Sequence, residues 1–214
     1  MIKELKSQQD RAVMLLKRLG MARLSEFTGS GITAATVSRM ERRGDVVRLG
    51  RGVYQLTGHS QDANHSLAQA AKHVPKGVIC LVSALAFHEL TDTIPSRIWM
   101  AIGSKDRKPS SVQPPLQTVR FGEKVLRSGV GEHRIEGVSV PIYTPAKTVV
   151  DLFRYRQQAG RRYQKSPGLN LALEAMREAL RQRRATPSEI AQFAIESGTW
   201  KSLQPYLEAM TANG

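Results

Sequence analysis

Residues 24–56 carry an ordered series of local signals that constrains the fold more than any other segment. A short helical stretch is followed by a glycine-rich turn at residues 28–31, a second helix and a hairpin. This second helix is predicted to begin at Thr33 and to end near Arg43, with Gly44 in the position where a left-handed residue is favoured. The order is typical of a winged helix-turn-helix, which places one helix in the major groove of DNA.

The helix that follows the glycine turn is predicted to have two chemically different faces. At about 100° per residue, Val37 and Met40 share an apolar face. Small residues on the opposite face permit a close approach to a groove, and arginine can pair with guanine or with phosphate. The residues of this opposite face are Ala35, Thr36, Arg39, Arg42 and Arg43. An isolated helix of this kind is also compatible with a solvated surface, but the flanking turn and hairpin favour DNA binding.

Residues 45–56 are predicted to form a two-stranded hairpin. Strand-forming residues flank Gly50-Arg51-Gly52, whose glycines permit a tight turn. Arg48 and Arg51 are therefore expected at or beside the tip, where contact with a phosphate or the minor groove is geometrically reasonable. Together with the preceding helix, the predicted DNA-binding residues are Thr33, Ala35, Thr36, Arg39, Arg42, Arg43, Arg48 and Arg51.

The charge balance favours a polyanionic partner. The 214 residues include 32 Lys and Arg against 18 Asp and Glu, a formal net charge of +14. Such an excess favours nucleic acid first and an anionic membrane second. A self-repelling surface without a polyanionic partner is the alternative.

The rest of the chain predicts a second, larger region of mixed structure. The polar segment 58–64 is interpreted as a linker. Strands are predicted at residues 97–102, 116–121 and 139–143, with helices around them. The predicted fold class is α+β, with a winged helix-turn-helix domain at 1–57 and, after the linker, a domain at 65–214 that has a small β-sheet surrounded by helices.

Two helix starts in the larger domain are marked by capping signals. Thr144 and Pro145 have the residue types favoured at the N-cap and at the first helical position. Thr186 and Glu189 have the spacing of a capping box. Helices are therefore predicted to begin at both places.

No catalytic or metal-binding motif is found in the sequence. The histidines lack metal-ligand spacing, and the single cysteine, Cys80, lies among apolar neighbours. Asp151, inside an apolar helix, is expected to bond a backbone group or Arg154 rather than to catalyse. We therefore expect no metal, no cofactor and no enzymatic activity. A nuclease with a DNA-targeting module is one alternative hypothesis, but no spaced cluster of carboxylates and lysine supports it.

The chain also lacks sequence signals for export or membrane insertion. Its amino terminus is polar and charged before any apolar run, unlike a signal peptide. The longest apolar run, at 78–87, is much shorter than the roughly 20 residues that span a bilayer. A cytoplasmic location is expected.

Two further basic zones lie in the carboxy-terminal region. The first is a possible basic surface made of Lys105, Arg107, Lys108 and Arg120. The second, in the helical end, consists of Arg154, Arg156, Arg161, Arg162, Lys165, Arg181, Arg183 and Arg184. Both are compatible with solvated faces, with an extension of the DNA-binding surface, or with another polyanion such as RNA or an acidic protein.

The sequence resembles AbiEi-type antitoxins, the regulatory members of type IV abortive-infection toxin–antitoxin pairs. The phrase RRGDVVRLGRGVYQL at 42–56 is similar to the amino-terminal module of that family. Three further phrases are similar to its antitoxin domain: LVSALAFHELTDTIP at 81–95, VPIYTPAKTVVDLFRY at 140–155 and WKSLQPYLEAM at 200–210.

This resemblance implies a repressor of its own operon that also counters a toxin. The amino-terminal module would bind inverted repeats in the promoter, and the carboxy-terminal domain would counter a nucleotidyltransferase-like toxin without needing a stable complex with it. No antitoxin-active residue is implied, and the implied DNA contacts are limited to the helix after the glycine turn and the wing. The residues themselves leave an alternative open: a winged-helix transcription factor whose larger domain senses a ligand or assembles oligomers.

Overall fold

The computed structural model describes residues 7–59, 62–109, 113–158 and 168–212. They form a mixed α+β fold of small sheets and many helices, which confirms the α+β part of the predicted fold class. They divide into two compact units, the first drawn from residues 1–76, 109–116 and 133–140, and the second from 77–108, 117–132 and 141–214. The division into a winged helix-turn-helix domain at 1–57 and a second domain at 65–214 stays a prediction.

The first unit contains a three-stranded antiparallel sheet and four helices among its described residues. In chain order the elements are α1 (Gln8–Leu19), β1 (Met21–Arg23), α2 (Leu24–Gly29), α3 (Ala34–Arg43), β2 (Val46–Gly50), β3 (Val53–Leu56) and α4 (His65–His73). The sheet order is β1-β3-β2, so β3 is central. The hairpin β2–β3 was predicted from the sequence, but β1 was not, because three residues are too short for a periodic signal.

Capping residues fix the ends of α1 and α3. Ser7 caps α1 in a capping box with Asp10, and Gly20 ends that helix at a φ of 68°. Thr33 caps α3 by accepting a hydrogen bond from the backbone N–H of Thr36 at 3.3 Å. Gly44 ends α3 in the left-handed conformation. The predicted start and end of α3 are therefore confirmed.

One apolar cluster holds the elements of the first unit together. Val37 and Met40 are each only 1% exposed, as their shared helical face predicts. They pack with residues of α1, α2, the turn before α3 and the hairpin, namely Ala12, Leu15, Leu16, Phe27, Ile32, Val46 and Tyr54. Burial of each large apolar side chain stabilises a fold by roughly 1.5–3 kcal/mol, so this cluster fixes one face of α3 toward the interior.

The remaining elements begin at Val78. They are β4 (Val78–Ile79), α5 (Leu81–Phe87), β5 (Ile98–Gly103), β6 (Leu116–Phe121), α6 (Glu123–Arg127), β7 (Val130–Ile135), β8 (Val138–Tyr143), α7 (Pro145–Gln158), α8 (Gly168–Arg181), α9 (Pro187–Glu196) and α10 (Trp200–Thr211). Their strands form a five-stranded sheet of order β6-β5-β4-β8-β7. The strand β4 pairs antiparallel with β5 and parallel with β8, so the sheet is mixed.

The structure confirms both predicted helix starts but only one of the two side-chain caps. Pro145 begins α7 as predicted, but the buried hydroxyl of Thr144 has no hydrogen-bond partner and does not cap the helix. Thr186 caps α9 as predicted, and its capping box with Glu189 is complete.

The structure also corrects the predicted partner of Asp151. Its carboxylate accepts hydrogen bonds from Lys147 Nζ, one turn earlier on α7, at 2.5 Å to each oxygen. Arg154 does not take this place. Lys147 and Asp151 have side chains only 2% and 0% exposed, and Lys147 Nζ lies 4.6 Å from the ring centre of Tyr143. The pair was not predicted, because only a backbone group and Arg154 were considered as partners of Asp151.

Candidate nucleic-acid interface

The exposed face of α3 carries four of the eight predicted DNA-binding residues. Ala35, Arg39, Arg42 and Arg43 are all exposed, on the side of the helix opposite the buried Val37 and Met40. The residue before α3, Thr33, is exposed as well. The structure adds exposed Ser38 to this face, and its position next to Arg42 on the helical wheel could have been recognised from the spacing.

Thr36 differs from its predicted position because it is buried, with only 6% exposure. Its hydroxyl donates to Gln8 Oε1 at 2.8 Å and accepts from Arg39 Nη2 at 3.2 Å. At about 100° per residue Thr36 lies at the edge of the exposed face, and the start of α1 covers that edge. Thr36 therefore positions Arg39 from below instead of facing a groove itself.

Arg42 and Arg43 make different local contacts. Arg42 Nε donates to the backbone carbonyl of Ser38 at 3.5 Å, on its own helix. Arg43 Nε lies 3.3 Å from a carboxylate oxygen of Asp45, in an ion pair whose side chains are 55% and 39% exposed. Exposed pairs of this kind contribute only about 0.2–1 kcal/mol, so the arginine can exchange this partner for another anion.

The hairpin tip presents the two predicted wing arginines. Arg51 is exposed in the turn between β2 and β3. Arg48 is also exposed, and its Nε donates to the carbonyl of Gly50 at 3.1 Å. The strand register shifts between Arg48 and Gly50, which indicates a bulge beside the tip.

Helix α4 supports this hairpin from behind, a role that the sequence did not predict. Gln69 Nε2 donates to the carbonyl of Leu49 at 2.7 Å. A Cβ atom on Gly50 would lie 2.7 Å from His73 Nε2, so glycine is required for this approach. Burial lowers the pKa of His73, although a hydrogen bond with the backbone of Gln113 opposes the shift.

A second contact of α4 fixes α2. Lys72 Nζ donates to Glu26 at 2.9 Å, and the backbone N–H of Arg23 donates to the other carboxylate oxygen at 2.6 Å. Burial alone would raise the pKa of Glu26, but these two hydrogen bonds outweigh it and lower the pKa below its ordinary value.

Glu136 supplies a third support within the first unit. It lies in the turn between β7 and β8, and its side chain is only 4% exposed. Its carboxylate accepts from Gln55 Nε2 at 3.1 Å, from the backbone N–H of Asp62 at 2.6 Å and from His65 Nδ1 at 2.9 Å. Gln55 lies in β3 and His65 begins α4, so one carboxylate joins the wing strand to its supporting helix.

All four residues of the predicted carboxy-terminal basic surface are exposed. Lys105, Arg107 and Lys108 lie in the segment after β5. Arg120, which is also exposed, donates from its guanidinium to the carbonyls of Gly103 and Ser104, at 3.1 and 2.6 Å. Arg120 therefore stabilises the backbone of this loop.

The helical basic zone is described only in part. The side chain of Arg156 and all of Arg161, Arg162 and Lys165 lie outside the described residues. Arg181 pairs with Glu178 on its own helix, and Arg184 lies 3.6 Å from Glu89. These pairings offset the charge of two of the arginines.

Neither a metal centre nor a membrane span is found in the described part of the chain. No group of three or more His, Cys, Asp or Glu side chains there could hold a metal ion. None of the helices described is both long and apolar enough to cross a membrane.

A family model of transcriptional regulators, the AbiEi antitoxins, matches residues 10–57. We call residues 10–57, which this family model matches, the AbiEi segment. The match confirms the resemblance over the AbiEi segment, which extends from α1 to the end of the hairpin and includes all eight predicted DNA-binding residues. The resemblance of the later phrases, at 81–95, 140–155 and 200–210, lies outside the match.

Among solved structures, the chain is similar to the RV2827C protein from Mycobacterium tuberculosis, seen in a crystal structure. The TM-score is 0.57 at 12% sequence identity, and the similarity covers 97% of this chain and 78% of that one. At this identity the likeness shows a shared fold alone. No curated protein sequence matches the chain.

Proposed function

We propose that the AbiEi segment forms a winged helix-turn-helix that binds double-stranded promoter DNA. In this proposal α2 and α3 are the two helices of the motif, α3 enters the major groove, and β2–β3 is the wing. The protein then represses its own operon by binding inverted repeats in the promoter. Arg48 and Arg51 at the wing tip contact phosphate or the minor groove.

The exposed face of α3 is the observation that carries the proposal. Three arginines and the small residues Ala35 and Ser38 lie on this face, and the opposite face is buried in the apolar cluster. A helix held in this way can present its outer face to a groove without unfolding its core. The match of the segment to a family model of transcriptional regulators supports the same reading.

For the carboxy-terminal region we propose the antitoxin role of a type IV pair. The partner would be a nucleotidyltransferase-like toxin encoded beside this gene, and no stable complex is required. Co-expression of that neighbouring gene with the chain tests this role, because the chain should restore growth even when its promoter-binding arginines are replaced. Failure of such a variant to rescue growth would make repression, not antitoxicity, the source of protection.

The DNA-binding proposal is tested with a duplex from the promoter upstream of the gene. We expect Arg39→Ala and Arg42→Ala together to weaken binding, and the loss of one base-reading arginine alone costs about 1–3 kcal/mol. Wild-type affinity should fall steeply with salt, by about one unit of logarithmic slope for each phosphate contact. Fluorescence anisotropy over a range of salt concentrations measures both quantities.

Arg127→Ala, compared with Arg42→Ala alone, is a control for the loss of one positive charge. Arg127 is exposed on α6, outside the AbiEi segment, and pairs with Glu123 at 3.0 Å. This variant should bind the promoter like the wild type. Equal losses for Arg42→Ala and for Arg127→Ala would show that net charge, not α3, determines binding.

A further inference from the structure

A cleft of about 290 Å³ lies between the start of α1 and the exposed edge of α3 in the first unit. Its lining is polar and cationic, and none of the described residues that line it is acidic. The lining includes Gln8, Gln9, Thr33, Thr36, Arg39 and Arg43. A cleft with two guanidinium groups and no lining carboxylate is suited to an anion.

The inner wall of the cleft is fixed by internal hydrogen bonds. Gln8 Oε1 accepts from the backbone N–H of Thr33 at 3.0 Å and from the hydroxyl of Thr36 at 2.8 Å. The same hydroxyl accepts from Arg39 Nη2 at 3.2 Å. A guanidinium has five N–H donors, so Arg39 is held in place while donors remain for a ligand.

The carboxylate of Asp45 lies beside the outer side of the cleft, next to Arg43 and Gln9. Arg43 Nε approaches Asp45 Oδ2 at 3.3 Å, and Gln9 Nε2 donates to the same oxygen at 3.4 Å. Two residues that line the cleft therefore converge on one carboxylate oxygen. A phosphate oxygen has the charge and hydrogen-bonding capacity to take that place.

We infer that this cleft binds a phosphate group of the DNA backbone, and that Asp45 occupies the donors of Arg43 until DNA arrives. The inference rests on the proposed DNA binding. It assigns backbone contacts to one edge of α3 and base contacts to the other. Arg39 and Arg43 hold the backbone at the α1 edge. Ser38 and Arg42, on the other side of Ala35, face the base edges.

The division predicts different signatures for the two neighbouring arginines. Affinity is measured for the operator and for a scrambled duplex over a series of salt concentrations. Arg43→Ala should weaken both duplexes by a similar factor and reduce the salt slope by about one. Arg42→Ala should weaken the operator more than the scrambled duplex, because it removes a base contact.

Asp45→Asn should strengthen binding to both duplexes. It removes a negative charge and releases Arg43, and an exposed ion pair corresponds to a gain of about two- to fivefold in affinity. Asn keeps the shape of the side chain, and thermal unfolding of the free protein checks that the fold is retained. A gain confined to the operator, or a loss on both duplexes, would count against the assignment.

A duplex series with single neutral methylphosphonate linkages locates the phosphate. Of the positions that weaken wild-type binding, one in each half-site should have little further effect on Arg43→Ala. If the two losses add in full at every position, Arg43 does not contact phosphate and the inference is overturned. If the wild type binds neither duplex, the proposed DNA binding itself fails, so the two failures are distinguishable.

Discussion

Lys147 and Asp151 form an ion pair that water does not reach. Burial raises the pKa of Asp151, and the nearby Lys147 ammonium opposes that shift. The two charges stabilise each other, but their removal from water costs several kcal/mol for each ion. The pair is therefore tolerated as a unit, and neither residue is tolerated alone.

Lys147→Met should lower the free energy of unfolding by about 3–5 kcal/mol, because it leaves a buried carboxylate without its partner. The loss should shrink as the pH falls toward the ordinary aspartate pKa of 3.8, since a protonated Asp151 carries no charge. Urea unfolding at several pH values measures this dependence. Adding Asp151→Leu to Lys147→Met should recover much of the stability.

An exposed pair with the same spacing provides the comparison. Arg127 and Glu123 are 78% and 79% exposed, so Arg127→Ala should change the free energy of unfolding by no more than about 0.5 kcal/mol. If Lys147→Met and Arg127→Ala lower the free energy of unfolding by similar amounts, burial does not make the Lys147–Asp151 pair more important than an exposed pair.

At the scale of elements, local signals predicted α3 of the AbiEi segment well. Thr33 and Gly44 occupy the capping positions that their residue types indicated. Two features that depend on contacts distant in sequence were not predicted. The start of α1 covers Thr36, and α4 supports the wing hairpin. No periodic pattern encodes either contact, because each depends on residues more than ten positions away.

Gly20 and Gly44 both end helices in the left-handed region, at φ values of 68° and 79°. A Cβ on Gly20 would lie 1.5 Å from the carbonyl oxygen of Glu136, whereas a Cβ on Gly44 would meet nothing within 4 Å. Gly44→Ala should therefore cost only the conformational strain, about 1–2 kcal/mol. Gly20→Ala should cost clearly more, because the Glu136 turn must also move.

Urea unfolding followed by circular dichroism compares these two variants. Gly44→Ala reports the strain of a left-handed residue alone, whereas Gly20→Ala adds both the contact with the turn and the less favourable ψ of −56° at Gly20. Equal losses would show that the turn does not pack tightly against the end of α1.

At the scale of the whole molecule, the first unit is assembled from three separate stretches of the chain. The AbiEi match ends at residue 57, but α4 and the turn at Glu136 complete the same unit. Glu136 contacts Gln55, 81 positions earlier, and His65, 71 positions earlier. The polar segment 58–64 is a boundary signal in the sequence, but it gives no sign that residues as distant as Glu136 belong to the same unit.

Glu136 should make this assembly sensitive to acid. Burial alone would raise its pKa, but the hydrogen bonds from Asp62 and His65 outweigh it and hold the pKa below the ordinary value of 4.5. For a carboxyl group whose pKa is lower in the folded state, the stabilisation is present above the unfolded-state pKa and is lost as the pH falls through the folded-state pKa. Glu136→Gln should thus lower the free energy of unfolding at neutral pH and flatten its decline in acid.

Urea unfolding from neutral pH to about pH 3, a range that spans the ordinary carboxyl pKa, measures the two profiles. Glu123→Gln, at a side chain that is 79% exposed, is the matched control and should leave the profile unchanged. The wild-type and Glu136→Gln curves should converge as the pH falls, since protonation removes the same charge that the substitution removes. Curves that stay parallel throughout would show that the Glu136 charge does not hold the turn, the wing strand and α4 together.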